Sequence, residues 1–494
     1  MIPLTLRQVA ETVGGTLHAV PDPDLVVTAP PEHDSRKVVP GGLFLAVPGE
    51  RTDGRAHAAS AHAAGAVATL ASDPLDVPTV VLGEGPYPTP PEESKRLALA
   101  AVAALAKANA EALVAQGLTI VGVTGSSGKT STKDLLAQVL ATKGSTVGPP
   151  GSYNNELGHP WTVLRAGPES VFLVLELAAR GIGHIAALAR IARPRIGVVL
   201  GVGSAHLGEF GSRENIAIAK GELVEALPSA EDGGVAVLNA DDPLVLAMAA
   251  RTKARVVRYG MSESAEIRAA DVRVDALARP RFTLITPQGE APVELQVHGE
   301  HQAHNALAAA AVALECGLSV AQTAEALSRA RAASPRRMQV TERADGAVVI
   351  NDSYNANPES MRAGLRALVD MADNSGGVSW AVLGPMGELG EDSIALHDQL
   401  GRYAVRLSVK RLLVVGDSRS AKALHTGAVL EGSWSGEAEL VSDWSQAARI
   451  VADELGPRDV VLVKASQSEG LWQVAESLTN VVEGRADVAG SGLV

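Results

Sequence analysis

The sequence predicts an α/β protein in three domains: a small α+β N-terminal domain, a central domain on a mainly parallel sheet, and a C-terminal Rossmann-like α/β domain. One rhythm and two interruptions predict it. From about residue 119 onward, continuous apolar runs alternate with helical patterns, as a parallel sheet covered on both faces requires. A Pro- and Gly-rich segment from Gly83 to Ser94 precedes that rhythm. The stretch SPRRM at 334–338 interrupts it before it resumes. The expected domains are therefore 1–85, 86–333 and 334–494.

Residues 1–85 are short apolar pieces punctuated by PDPD, APPEHD, VPGG and VPGE. A helix with a glutamate-rich start follows at about 92–115. LTIVGVTGSSGKTSTKDLLAQVL then reads as strand, glycine loop and helix. Buried strands are expected at 171–177, 195–203, 234–242 and 254–260, and antiparallel strands within 265–298. HQAHNALAAAAVALECG reads as a helix ending near Gly317. In the third domain GAVVIND, SWAVLGPMG, RLLVVGDS and DVVLVKAS are strands, and EGRADVAGSGLV reads as a frayed tail.

Composition narrows the classes. With 494 residues, 46% of them hydrophobic, the chain can bury several cores, which excludes a disordered chain or a small disulfide scaffold. Only 3% are aromatic, so those cores are built from Ala, Val and Leu. The single cysteine, Cys316, excludes an internal disulfide and a cysteine-rich zinc site, and reads as a small core residue. A net charge of −13 argues against a surface for duplex nucleic acid, so any anionic ligand must be held by local devices. The N-terminus lacks a signal-peptide core, and the longest apolar run, Leu97 to Ala106, falls short of the ~20 residues of a membrane span. A soluble, cytoplasmic protein is expected.

Thr124-Gly125-Ser126-Ser127-Gly128-Lys129-Thr130 lies between a buried strand and a helix, the context of a phosphate-binding P-loop. Its glycines let backbone N–H groups face phosphate oxygens, and the helix adds the positive end of its dipole. Lys129 is placed to reach the β- and γ-phosphates, and Thr130 to offer a hydroxyl to Mg2+. Val123 stands where the strict motif has its first Gly, so the loop is a variant; a Gly-rich turn without ligand is the bland alternative. A GTPase is disfavoured, because Asn239-Ala240-Asp241-Asp242 lacks the lysine of a base-reading motif.

Three further residues fall where the ends of parallel strands, or the next helix, gather beside the phosphates. Glu176 ends LVLE, His206 follows GVVLGVGSA, and Lys220 lies in RENIAIAKGEL. Glu176 and His206 are candidate Mg2+ ligands beside Thr130. A lysine near Mg2+ is repelled unless it is neutral or carbamylated; an exposed helix lysine is the alternative for Lys220. A nucleotide sensor without chemistry has no need of these metal-side residues.

Together these motifs resemble the Mur ligase family over nearly the whole chain. TGSSGKTSTK is similar to the family's ATP loop, and SYNNELGHPWTVL, AHLGEFGSRENIAIAKGEL, LNADDP and GEHQAHNALAAAA follow in the family's order. NDSYNANPESM and LGPMGELGEDSIALH resemble the type that adds D-alanyl-D-alanine, and HDSRKVVPGGLFLAVPGERTDGR resembles a UDP-binding segment. ELAARGIGHI departs from the pattern E-x-G-x-x-x-x-G-E-I, with Ala178 and His184 at the Gly and Glu positions.

The resemblance implies a P-loop ATPase core and an ATP-dependent amide ligase. Its substrates are UDP-N-acetylmuramoyl-tripeptide and D-alanyl-D-alanine, joined through an acyl phosphate in the cytoplasmic stage of peptidoglycan synthesis. Lys129, Glu176, His206 and Lys220 then carry catalysis, with Thr130, Glu176, His206 and carbamylated Lys220 on the metal. ATP falls to Gly125, Ser126, Ser127, Gly128, Lys129, Thr130, Ser131, Asn305, Arg337 and Asp352; Ser35 and Arg36 fall to the uridine diphosphate. Lys464, in VKASQS, resembles the family's K-G-S stretch with Ala465 for Gly; a strand-end surface lysine is the alternative. The expected cofactors are ATP and Mg2+, in a monomer with no nucleic-acid partner. Residues 332–334 and 83–94 are expected hinges.

Overall fold

The computed structural model describes residues 1–49, 52–205, 207–432 and 437–484. His206 and residues 485–494 of the expected frayed tail lie outside the described residues.

The N-terminal region holds a four-stranded mixed sheet in the order Thr16–His18, Thr79–Val81, Ala68–Ala71, Leu43–Leu45, the first strand antiparallel to its neighbour. The helix Leu6–Val13 starts at a capping box between Thr5 and Gln8. One face of the sheet buries Phe44 and Ala71 against Ala58 and Ala61. The other face, with Leu43, Leu45, Leu70 and Val80, shares a core with Val102, Leu105 and Ala106 of the 25-residue helix Pro91–Ala115. Pro91 opens that helix at a position needing no N–H partner, with Glu92 and Glu93 complementing its dipole. The helix is long and apolar enough to cross a membrane by composition, which the Leu97–Ala106 run alone did not suggest. In the fold its apolar side is packed between two sheets.

A nine-stranded sheet forms the centre, in the order Gly289–Glu294, Pro280–Thr286, Ile267–Val274, Arg255–Gly260, Val235–Asn239, Ile196–Val199, Thr119–Thr124, Phe172–Glu176, Thr146–Val147. Its pairings are parallel except the two that join Ile267–Val274, Pro280–Thr286 and Gly289–Glu294. The expected antiparallel strands therefore extend the same sheet. The next strands in the chain pair on one side of Thr119–Thr124 and later ones on the other, so the P-loop leaves the sheet at a topological switch point. The helix Gln302–Glu315, mostly alanine on its buried side, packs on the P-loop helix Lys129–Ala141. Cys316 is half-buried at its end, a little outside the expected core.

The C-terminal sheet has six strands, in the order Gln339–Glu342, Val348–Asn351, Val460–Lys464, Ser379–Leu383, Arg411–Val415, Ala438–Val441. All pairs but the first are parallel, and helices cover both faces. Asn357 caps the helix Pro358–Ser375, whose first turn points at the P-loop.

Candidate active site

A cavity of about 1220 Å³ opens between the central and C-terminal sheets, lined by Ser126 to Ser131, Glu176, Asn305, Arg337, Asp352 and Lys464 among others. Its floor is the P-loop. Gly128 adopts φ +84°, and a Cβ there would lie 2.6 Å from Asn305 Oδ1, so both backbone and space demand glycine. Asn305 is held by its own Nδ2 donating to Gln302 Oε1 at 2.8 Å. The Lys129 ammonium donates to the carbonyls of Gly125 and Ser126 at 2.7 and 3.5 Å. Burial lowers its pKa; the Glu176 carboxylate opposes that and the Arg337 cation adds to it.

The corner beside the loop is a continuous polar chain. Thr130 Oγ1 donates to Glu176 Oε2 at 2.9 Å and lies 2.9 Å from Ser152 Oγ. Asn154 Nδ2 donates to Glu176 Oε1 at 2.7 Å, and an Arg337 N–H donates to Ser152 Oγ at 2.8 Å. Glu176 and Thr130 are buried. Arg337 also stacks over the Tyr354 ring at 4.3 Å.

Lys220 is buried on the helix Arg213–Glu225, so the exposed-lysine alternative is set aside. Burial first, then the nearby Lys129 cation, pushes its pKa well below the usual lysine range. Two residues on, buried Glu222 accepts from the Gly183 and Ala186 amides and caps the helix His184–Ile191. That bond fixes the departing loop, and Ala178 and His184 both line the cavity.

Lys464 is also no surface lysine: it is buried and donates to Asp352 Oδ2 at 2.6 Å, while Asp352 Oδ1 accepts from the Met338 amide at 3.0 Å. Ser35 and Arg36 lie outside the cavity lining, and Arg36 donates to Asp34 at 2.8 and 2.9 Å. Ser152 and Asn154, within SYNNELG, have no individual role legible in the sequence. The contacts of Asn357 with Ser127, at 2.9 Å, and of Glu359 with the Ser204 amide and hydroxyl, at 3.0 and 2.9 Å, are likewise not legible there. Asn357 ahead of Pro358 was a visible helix-cap signal; its second partner was not.

A variant P-loop at a sheet switch point, an adjoining buried carboxylate and a third domain reaching over both define a multidomain P-loop enzyme that acts on nucleotides. The comparisons give the class its family. Family models match at residues 32–108 (Mur ligase family, catalytic domain), 123–313 (Mur ligase middle domain) and 336–467 (Mur ligase, glutamate ligase domain). The chain is 56% identical to the UDP-N-acetylmuramoyl-tripeptide–D-alanyl-D-alanine ligase of Mycobacterium tuberculosis, over 97% of this chain and 98% of that one. The crystal structure of MurF from Acinetobacter baumannii superposes with a TM-score of 0.82 at 28% identity, covering 97% of this chain and 99% of that one. MurF ligase from Thermotoga maritima in complex with ADP gives 0.75 at 30% identity, covering 93% and 99%. The chain belongs to the Mur ligase family.

Proposed function

We propose that this chain is an ATP-dependent ligase that joins D-alanyl-D-alanine to the tripeptide carboxylate of UDP-N-acetylmuramoyl-tripeptide, releasing ADP and phosphate. The supporting observation is the polar chain from Thr130 through Glu176 and Ser152 to Arg337, which brings two domains to one corner of the P-loop.

An amide forms from a carboxylate only after activation. In the proposed reaction a carboxylate oxygen attacks the γ-phosphorus, the bond to the β-phosphate oxygen breaks, and an acyl phosphate and ADP result. The dipeptide amine then attacks the acyl carbon, and phosphate leaves from the tetrahedral intermediate. Two anions must approach in the first step, so cations are needed at the corner. Lys129 and Arg337 supply them, from the P-loop and the third domain. Glu359 and Asn357, bonded to Ser204 and Ser127, hold the third domain against the loop and help exclude water that hydrolyses acyl phosphates.

The oxygen donors Thr130 Oγ1 and Glu176, already within 2.9 Å of each other, suit Mg2+. When bound, that ion neutralises charge on phosphate oxygens. Buried Lys220, its amine pushed toward the uncharged form by burial, suits addition to CO2, which forms an N–C bond, releases a proton and leaves a carbamate. In this reading Asn305 faces the adenine, Asp352 the ribose, and Ser35 and Arg36 the uridine diphosphate. Domain 1–85 holds the nucleotide-linked substrate, 86–333 the ATP, and 334–494 the dipeptide, in a cytoplasmic monomer.

The test is ADP release with each substrate omitted in turn. Turnover is expected only with ATP, UDP-N-acetylmuramoyl-tripeptide and D-alanyl-D-alanine together. Equal ADP release without either amide-forming substrate, or equal turnover with GTP, overturns the reading.

A further inference from the structure

The contact between Arg337 and Ser152 joins two segments 185 residues apart in the sequence, and both are gripped by one helix. On the P-loop helix, one turn past Lys129, Lys133 and Asp134 form a buried ion pair. Lys133 is 2% exposed and Asp134 8%, and neither belongs to the cavity lining. The Lys133 ammonium donates to the Pro149 carbonyl at 2.8 Å, three residues before Ser152, and lies 3.5 Å from Ser334 Oγ. Asp134 Oδ2 accepts from the Ser334 amide at 2.9 Å, three residues before Arg337. A turn further on, Gln138 closes a two-way amide bond with Arg331: its Nε2 donates to the Arg331 carbonyl at 2.8 Å, and the Arg331 amide donates to its Oε1 at 3.0 Å.

The strap 331–334 is thus bound to the P-loop helix at both ends. Two residues further, the chain is bound to the other body. Arg336 pairs with Glu476 at 2.9 Å, stacks over Trp472 at 4.1 Å, and accepts the Tyr354 amide on its carbonyl at 3.1 Å. Between the two anchorages lies exposed Pro335. The residues that follow carry the strain of the crossing: Arg336 at φ +59° and Met338 at φ +46° are left-handed without being glycine.

We propose that Lys133, Asp134 and Gln138 are positioning residues: they clamp the interdomain strap to the P-loop helix, so the third domain pivots at Ser334–Arg336 rather than within 332–334. The clamp holds the two arms that carry Ser152 and Arg337, and the pivot delivers Arg337 to the phosphate corner. This rests on the reading of Arg337 as a phosphate-side cation. Burial without solvent makes the ion pair a strict geometric demand, because removing one partner strands the other.

The experiment crosslinks the strap where the clamp already holds it. In a Cys316→Ser background, Gln138→Cys with Arg331→Cys is compared reduced and oxidised, with ADP release read under all three substrates. A kcat in the disulfide form within about twofold of the parent chain's supports the clamp. Loss on oxidation that returns on reduction places the hinge within 331–334 and overturns it. No ADP release from the reduced protein, alongside an equally inactive parent chain, refutes the proposed reaction and leaves the clamp to a nucleotide-free crosslinking readout: the disulfide should form without altering domain spacing measured by small-angle scattering.

A second measurement separates positioning from folding. Asp134→Asn should lower kcat about tenfold or more, since small misplacements at a reacting centre have effects of that order. The KM for the UDP-substrate should stay within about twofold, and Asp134→Glu should restore part of the rate. A variant that loses only thermal stability, with kcat unchanged, counts against the clamp.

Discussion

The Thr130–Glu176 corner and the Asp34–Arg36 segment are both assigned to anionic substrates, yet they are built on opposite plans. At the corner, buried Thr130 and Glu176 and the half-buried Ser152, Asn154 and Arg337, from four sequence segments and two domains, satisfy one another. In the segment, the Arg36 side chain is 87% exposed and leans on a carboxylate two residues away. A buried network is preorganised, so its energy goes to the reaction rather than to ordering side chains. An exposed pair contributes little to stability and can trade its partner for a ligand at little cost. The difference predicts rate effects at the corner and affinity effects at the segment.

The largest effect is expected at Lys129. Among the described residues its ammonium bonds only to its own loop, so Lys129→Ala should fold normally while kcat falls about 10²–10³-fold, the range for deleting a preorganised charge-stabilising donor. Steady-state ADP release and a melting curve test both halves. A kcat within tenfold of the parent breaks the comparison. Glu176→Gln comes next, at about a hundredfold in kcat. The amide preserves the size of the side chain but removes the charge that faces Thr130. An unchanged rate means the carboxylate is only a shape in the wall.

The corner was partly legible in the sequence for a physical reason. Lys129 and Thr130 sit in a local strand–loop–helix pattern whose geometry is fixed within a dozen residues, and Glu176 ends a strand whose apolar run announces burial. Ser152, Asn357 and Glu359 were not legible, because serine, asparagine and glutamate are ordinary loop and cap residues. Their partners lie 22, 230 and 155 residues away. The antiparallel alternation at 265–298 was read correctly, but its attachment to the central sheet depends on a parallel pairing of Tyr259 with Ile267 that no periodicity encodes. Lys220 and Lys464 read as possible surface lysines because burial is a property of the fold.

On the exposed side, Arg36→Ala should raise the KM for the UDP-substrate about tenfold, the loss of one charge-assisted hydrogen bond. The KM for ATP and the melting temperature should not move. An equal rise in both KM values moves Arg36 into the ATP site and erases the contrast between the two regions. A lower melting temperature means the Asp34–Arg36 pair is structural.

The smallest effect sharpens the contrast through pH. His159 lies wholly buried on the helix Gly158–Val163, and among the described residues neither ring nitrogen makes a full hydrogen bond, although the Glu176 and Leu188 carbonyls lie near enough to oppose part of the burial effect. Burial pushes its pKa down to about 4, from an ordinary value of 6.5. Below pH 6.5 the unfolded chain takes up a proton at this site, and the folded chain does so only near pH 4. Stability must therefore rise with pH between those limits and be flat above them, with a slope of at most about 1.4 kcal/mol per pH unit from this group. His159→Leu removes the titration and keeps an apolar side chain in the buried site, and the Leu188 carbonyl retains the Ala192 amide as a donor. Denaturant unfolding at pH 7.5 and 5.5 should show the parent losing about 1 kcal/mol more than the variant over that interval. Arg36→Ala should follow the parent, because an exposed arginine stays charged throughout. If His159→Leu loses stability on acidification as steeply as the parent, the ring is protonated inside the fold and its burial does not set the pH dependence.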